Sequence, residues 1–218
     1  MQKRAVIFDL DGTLLNSYPE ALKRVEDIAL MLRFSLNRTT LEKLRSSWGR
    51  PAIEIVKICW PGTDPEAVIG AWKNLDCVRP YPLFPGSRTM LQRLRRKKIV
   101  LGILSQRRAP TVRAQLKLNK IENLFAFVQT TDESGHAKPD PRSIKPCFEK
   151  LDSCGIRPSQ TLYVGDTIEF DLALAQAVGI DFVGVLTGGK TREEFIQAGL
   201  ASSKIIASVA DLPKILNR

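Results

Sequence analysis

The stretch Ala5-Val6-Ile7-Phe8-Asp9-Leu10-Asp11-Gly12-Thr13-Leu14 decides how the rest of the chain is read. Its four leading residues form a short apolar run of the kind that makes a strand buried on both faces, and the run stops on a carboxylate. Residues two apart in an extended chain project to the same side, which pairs Asp9 with Asp11. Gly12 then lets the backbone turn tightly and expose amide donors able to cradle an anion. Taken alone, Asp-x-Asp-Gly-Thr also reads as a surface turn closed by a side-chain bond.

The rest of the chain favours the first reading. From residue 87 onward, short apolar runs alternate with helical patterns: strands are expected at 99–104, 125–128, 161–164, 182–186 and 204–207. Helices are expected at 87–98, 109–118, 143–154, 168–178, 192–198 and 212–216. Gly179 closes the fourth of these, and Pro146 is tolerable only in the first turn of the third. Continuous apolar strands separated by helices predict an α/β fold with a parallel sheet covered on both faces. Ligands of such sheets bind at the carboxyl ends of the strands.

Between the first strand and the second lies a segment without strand signals. Ala21, Leu22, Val25, Ile28, Ala29 and Leu32 recur at helical spacing, and Gly49-Arg50-Pro51 and Trp60-Pro61-Gly62 break the segment into three or four helices. The proline-rich stretch from Pro80 to Gly86 reads as the return linker. Residues 16–80 are therefore expected to form an all-helical insert, and residues 1–15 with 81–218 the catalytic core.

Four polar clusters then fall at strand ends and so on one rim: Asp9 with Asp11, Ser105, Lys138-Pro139, and Gly165-Asp166-Thr167 with Asp171 five residues beyond Asp166. Singly, Ser105 or Lys138 is an ordinary surface residue and Asp166 an ordinary helix cap; in this order, each after its own strand, they are a constellation. Several carboxylates at one point repel unless a cation holds them. Hard oxygen donors without histidine or thiolate suit Mg²⁺. Lys138 and Ser105 would hold the remaining oxygens of a phosphate, and the whole has the parts of a phosphoryl-transfer site.

Bulk properties narrow the alternatives. The 218-residue chain has no run of 18 apolar residues, so no membrane span is expected, and its first residues do not form a signal peptide, so the cytoplasm is the expected compartment. Cys59, Cys77, Cys147 and Cys154 contain no C-x-x-C pair, which argues against zinc and against a disulfide framework. The net charge of +10 and the run Arg93-Leu94-Arg95-Arg96-Lys97-Lys98 admit nucleic-acid binding. The run reads more simply as the solvated last turn of a helix, where cations oppose the dipole's negative end. A groove lined with carboxylates does not suit a phosphate backbone, and the expected partner is a small phosphorylated substrate.

The four ordered motifs resemble those of the haloacid dehalogenase superfamily, over the whole chain. Phe8 to Leu14 and Lys138-Pro139-Asp140-Pro141 look like its phosphoglycolate phosphatase-like branch, which carries a helical cap where residues 16–80 fall. The resemblance implies a Rossmann-like core and an aspartyl-phosphate intermediate. It implies that Asp9 attacks phosphorus and ligates Mg²⁺, and that Asp11 protonates the leaving group, activates water and offers its carbonyl to the metal. Asp166 would complete the metal site, Asp171 would support it, and Ser105 and Lys138 would bind the phosphoryl group. The backbone at Leu10, Asp11, Gly12 and Gln106 would line the phosphate cradle.

The chain departs from its relatives in Gln106-Arg107-Arg108 after Ser105, where Thr-Asn-Lys is usual, which bears on substrate preference rather than chemistry. In the insert, Arg50 occupies the place of a substrate-reading loop. It is expected either to contact a substrate carboxylate or second phosphate, or to be an exposed helix-end arginine. A phosphomutase, a pyrophosphatase or a nucleotidase shares the same aspartates, and these readings stay open beside the phosphatase.

Overall fold

The computed structural model describes residues 2–216; Met1, Asn217 and Arg218, which the sequence assigns to the ends of the core, lie outside them. Its centre is a parallel sheet of six strands: β1 (Ala5–Phe8), β2 (Val100–Ser105), β3 (Phe127–Thr130), β4 (Thr161–Gly165), β5 (Asp181–Val185) and β6 (Ile205–Ile206). The order across it is β3-β2-β1-β4-β5-β6. The chain thus winds outward from β1 in both directions, and β1 lies at a topological switch point, where a crevice opens beyond the strand ends.

Alternation of side chains along β1 explains why all four of its residues are buried. Val6 and Phe8 enter one apolar layer with Leu91, Leu94, Val112 and Leu116. Ala5 and Ile7 enter the opposite layer with Cys147, Leu151, Leu174 and Phe195. The helices that supply these layers are α5 (Ser87–Arg96), α6 (Ala109–Leu118), α8 (Lys145–Asp152), α9 (Ala173–Val178) and α10 (Arg192–Gln197). A four-residue α7 (Thr131–Ser134) and the closing α11 (Leu212–Leu216) complete the set.

Four helices fill the interval between β1 and α5: α1 (Ser17–Leu32), α2 (Arg38–Ser47), α3 (Ala52–Cys59) and α4 (Pro65–Val78). They share an apolar cluster of their own, in which Val25 and Ile28 of α1 meet Leu44, Ile55, Val56, Trp60, Val68 and Ile69. The two crossings between this unit and the sheet run side by side. Leu15 bridges Leu83 in antiparallel fashion, and Asn16 N–H donates to the Pro82 carbonyl at 2.8 Å.

Several elements differ in extent from the sequence reading. The third strand lies two residues later than expected, because Phe125 follows a 3₁₀ turn (Glu122–Leu124) and the polar pair Gln129 and Thr130 continues the ladder opposite Leu104 and Ser105. The helix expected at 143–154 is a 3₁₀ turn (Pro141–Ser143) followed by α8, with Pro146 tolerated at the helix start. The helix expected at 168–178 opens with a π turn (Ile168–Leu172) whose N-cap is Thr167. The basic run spans the exposed last turn of α5 and the two residues after it, Lys97 and Lys98, with only Leu94 turned inward.

Candidate active site

Strand register brings the predicted residues together before any side chain is placed. Phe8 is level with Ile103 of β2 and Val164 of β4, so the chain beyond them delivers Asp9, Ser105 and Asp166 to one edge. Asp9 N–H donates to the Val164 carbonyl at 2.9 Å, which fixes its backbone against β4. Gly12 follows at φ 78°, a left-handed turn that side chains resist, and a Cβ there would strike the Asp166 carboxylate.

The acidic cluster consists of Asp9, Asp166 and Asp171, whose carboxylate oxygens lie within 4.8 Å of one another and are all buried. Lys138 is threaded into it from the loop after α7. Its Nζ donates to Asp9 Oδ1 at 2.6 Å, to Asp171 Oδ1 at 2.7 Å and to the Tyr163 hydroxyl at 3.2 Å. Asp171 is saturated: Oδ1 also accepts from Tyr163 at 2.6 Å, while Oδ2 accepts from the Thr167 N–H at 3.1 Å and its hydroxyl at 2.6 Å. Asp166 Oδ1 accepts from Thr13 at 2.8 Å. Among the described residues, Asp9 Oδ2 and Asp166 Oδ2 accept no hydrogen bond.

Electrostatics follow from burial. Removal from water, together with Asp171 and Asp11, pushes Asp9 up to about 7 even though Lys138 opposes the shift. Burial and the charges of Asp9 and Asp171 raise Asp166 well above the usual carboxylate range. Asp171 runs the other way: burial would raise it, but the Lys138 ammonium and its hydrogen bonds hold it below the ordinary value. Desolvation disfavours the Lys138 charge, yet Asp171 and Asp9 outweigh it and leave the ammonium more firmly protonated than usual. One ammonium thus serves a cluster with more carboxylates than it can balance, and the two free oxygens mark where a second cation fits.

Asp11 faces the same cavity as Asp9. Its carboxylate is forked by Arg107, with Nε 2.6 Å from Oδ2 and Nη2 2.8 Å from Oδ1. Ser105 is buried, and its hydroxyl accepts from the Arg107 N–H at 3.1 Å. The Gln106 side chain reaches across to the Gly49 carbonyl at 2.5 Å. Leu10 sends its side chain into the apolar core, so only its backbone is available to a ligand. The helix-cap reading of Asp166 falls instead to Thr167, whose hydroxyl accepts from the Asp171 N–H.

All of this opens into a cavity of about 730 Å³ between the sheet edge and α2–α4, lined by Asp9, Asp11, Ser105, Gln106, Lys138, Asp166 and Asp171 on one side. Trp48, Arg50, Ile53 and Trp72 line the other. Arg50 stands in that wall with its guanidinium exposed, paired to Glu54 at 3.4 Å and 5.9 Å from the Phe170 ring.

A family model for haloacid dehalogenase-like hydrolases matches residues 6–185, which include every one of these side chains. The chain belongs to that family. Among its curated relatives is the phosphoglycolate phosphatase of Xanthomonas campestris pv. campestris, 32% identical over 193 residues, or 85% of this chain and 84% of that protein. The pyrophosphatase PpaX of Anoxybacillus flavithermus is 28% identical over 222 residues, or 99% of this chain and 98% of the other. In fold, this haloacid dehalogenase-like hydrolase is similar to one from Bacteroides fragilis, with TM-score 0.80 at 22% identity over 97% of this chain and all of that one. It is also similar to a HAD-hydrolase from Bacillus subtilis bound to magnesium, with TM-score 0.81 at 16% identity over the full length of both chains. The protein is thus an enzyme of the hydrolase class whose curated relatives include phosphatases. Among its described residues no helix is long and apolar enough to cross a membrane.

Residues that sequence reading either missed or quoted in a motif without a role, as with Thr13 and Thr167, complete the site. Tyr163 and Thr167 hold Asp171, Thr13 orients Asp166, and Gly188 leaves the space that the Asp166 side chain fills. Arg24 of α1 and Asp76 of α4, both buried, connect the helical unit to Arg107. Their signal was present: each charged residue sits on an apolar helical stripe, Ala21–Arg24–Ile28 in one case and Ile69–Trp72–Asp76 in the other, where a solvated residue does not belong.

Proposed function

We propose that the protein is a phosphatase that hydrolyses a small phosphate monoester through a covalent phosphoryl intermediate on Asp9, with residues 16–80 acting as a cap over a core of residues 1–15 and 81–218. The observation that carries this reading is the Lys138 ammonium lodged between Asp9 and Asp171 beside Asp166. A cation so placed would steady Asp9 before attack and then face the oxygens of the transferring group. Asp9 Oδ2 and Asp166 Oδ2, with the Asp11 backbone carbonyl, would hold Mg²⁺, a set of hard oxygens suited to that ion. When bound, the ion would supply positive charge against the phosphoryl oxygens.

In the first step an Asp9 oxygen forms a bond to phosphorus while the bond from phosphorus to the ester oxygen breaks. Asp11, with one oxygen released from the Arg107 fork, gives that oxygen its proton. In the second step Asp11 takes a proton from water as the water oxygen attacks phosphorus and Asp9 departs, which restores the Asp9 carboxylate and the Asp11 acid and releases inorganic phosphate. Ser105 and Lys138 hold the phosphoryl oxygens throughout, and the backbone amides of Leu10, Asp11 and Gln106 line the cradle with the Gly12 turn. Asp171 acts through Lys138, since its own oxygens are already engaged. Arg50, in the cap wall, touches only the part of the substrate beyond the ester. Inorganic pyrophosphate belongs to the substrate set on the strength of the pyrophosphatase relative.

A phosphate-release screen over phosphorylated acids, sugars, nucleotides and pyrophosphate tests the reading. Release is expected with Mg²⁺, should cease in EDTA, and should return poorly with Ca²⁺, whose looser and larger coordination misplaces nucleophile and phosphate. Full activity in EDTA would mean the carboxylates serve another purpose.

A further inference from the structure

Arg107 is tied to both halves of the molecule. Beyond its fork on Asp11, its Nη1 donates to Asp76 Oδ2 of α4 at 2.5 Å, and its guanidinium lies 4.4 Å from the Tyr81 ring centre. Asp76 is steadied in turn: its Oδ1 accepts from Arg24 Nη1 at 2.6 Å and from the Tyr81 hydroxyl at 2.8 Å. Only 14% of the Arg107 side chain and 5% of that of Asp76 is exposed, so the charges meet with little solvent between them. Burial works against the Arg107 charge, but Asp11 and Asp76 reinforce it, and the group stays a fixed cation.

A guanidinium carries five N–H donors in one plane. Three are engaged, two by Asp11 and one by Asp76. Two remain, on a side chain that lines the cavity. On the reading that Asp11 protonates the ester oxygen, that oxygen must come within about 2.6–3.2 Å of the Asp11 carboxyl. Both Asp11 oxygens already lie in the Arg107 fork. Whatever is attached to the ester oxygen is therefore delivered against the same guanidinium.

We propose that Arg107 selects the substrate by binding an anionic group of the leaving portion, a carboxylate or second phosphoryl two or three bonds from the ester oxygen, while Asp76 aims its guanidinium from the cap. Planar oxyanions match the fork of an arginine, whereas a neutral alcohol offers it nothing. Of the cations that line the cavity, Arg50 is half-exposed and answered by Glu54, whereas Arg107 is desolvated and next to the acid. The proposal builds on the role of Asp11 stated above and adds the substrate class.

The test compares 2-phosphoglycolate and pyrophosphate, which have anionic leaving groups, with ethyl phosphate, which has a neutral one. For the native enzyme kcat/KM should favour the anionic pair. In Arg107→Gln the ratio of kcat/KM for 2-phosphoglycolate to that for ethyl phosphate should fall about 10–150-fold, mainly through KM, as for loss of a desolvated charged hydrogen bond. Arg107→Lys keeps the buried charge but not the fork; it should show the same collapse in smaller measure, and it serves where Arg107→Gln does not fold. Calorimetry supplies a readout without turnover: Asp9→Asn protein should bind 2-phosphoglycolate more tightly than the Asp9→Asn/Arg107→Lys double variant does. Equal losses on all three substrates would overturn the proposal and leave Arg107 as a support for Asp11. A native enzyme that hydrolyses ethyl phosphate as efficiently as 2-phosphoglycolate would overturn it too, with the phosphatase reading intact. If no substrate is hydrolysed, that reading fails, and unchanged 2-phosphoglycolate affinity in the double variant then overturns the Arg107 assignment separately.

Discussion

The Lys138 ammonium is salt-bridged to Asp9 at 2.6 Å, with both side chains almost wholly out of solvent. The lysine also donates to Asp171 and to the Tyr163 hydroxyl, and Thr167 in turn holds Asp171. On the proposed roles, nucleophile and phosphate-binding cation would be assembled before substrate arrives, with no rearrangement needed to bring them together.

Lys138→Met removes the cation and leaves three buried carboxylates facing one another. Loss of one phosphate-binding group of this kind is expected to lower kcat by about 10²–10³-fold. The melting temperature in EDTA should fall as well, and Mg²⁺ should restore part of it by binding the folded state alone. Steady-state kinetics and thermal melting check this; a kcat within tenfold of native would show that the lysine is structural.

Gly188→Ala tests the placement of Asp166 by crowding alone. A Cβ at Gly188 would overlap the Asp166 carboxylate and lie 2.5 Å from Asp166 Cβ, an atom that side-chain rotation cannot move aside. Asp166 or the backbone at Gly188 must shift, and a displacement of Asp166 of that order is expected to lower kcat/KM about 100-fold. Mg²⁺ affinity, read by the metal dependence of melting, should weaken in parallel. Native kinetics and metal response in this variant would remove Asp166 from the working site.

What the sequence carried and what it withheld divide along a physical line. Asp9, Ser105 and Asp166 were legible because each follows a short, largely apolar run, and parallel register then fixes their neighbourhood without knowledge of any side-chain rotamer. Lys138 was legible by motif, although α7 and a turn separate it from β3, so strand ends alone would not have placed it. Arg107 was noticed only as a departure, because its meaning depends on Asp76, 31 residues away in another structural unit. Its fork on Asp11 depends on a side-chain choice that strand periodicity does not encode.

Away from the site, Asp181 at the start of β5 bonds to Lys204 at 2.8 Å and to Lys3 at 2.5 Å, and these contacts lower its carboxyl to about 2 from an ordinary 3.8. A carboxyl depressed in the folded state contributes stability above its unfolded value and loses it as pH falls through the folded one. The contribution should therefore be complete above about pH 4 and fade between about pH 4 and pH 2. The group is half-exposed, so solvent screening holds the contribution to about 0.2–1 kcal/mol. Asp181→Asn should melt slightly below native at pH 7, with the gap narrowing by pH 3. A gap that widens on acidification would contradict the ion-pair account of this corner.

The central claim is that Asp9 itself takes the phosphoryl group, and trapping that group tests it most directly. Enzyme mixed with Mg²⁺ and ³²P-labelled substrate, quenched in acid within one turnover and digested, should yield label on the peptide that contains Asp9. Hydroxylamine should remove the label, as expected for an acyl phosphate, and Asp9→Asn free of deamidation should show neither label nor turnover. Rapid turnover without label on that peptide, or native activity in Asp9→Asn, would contradict it.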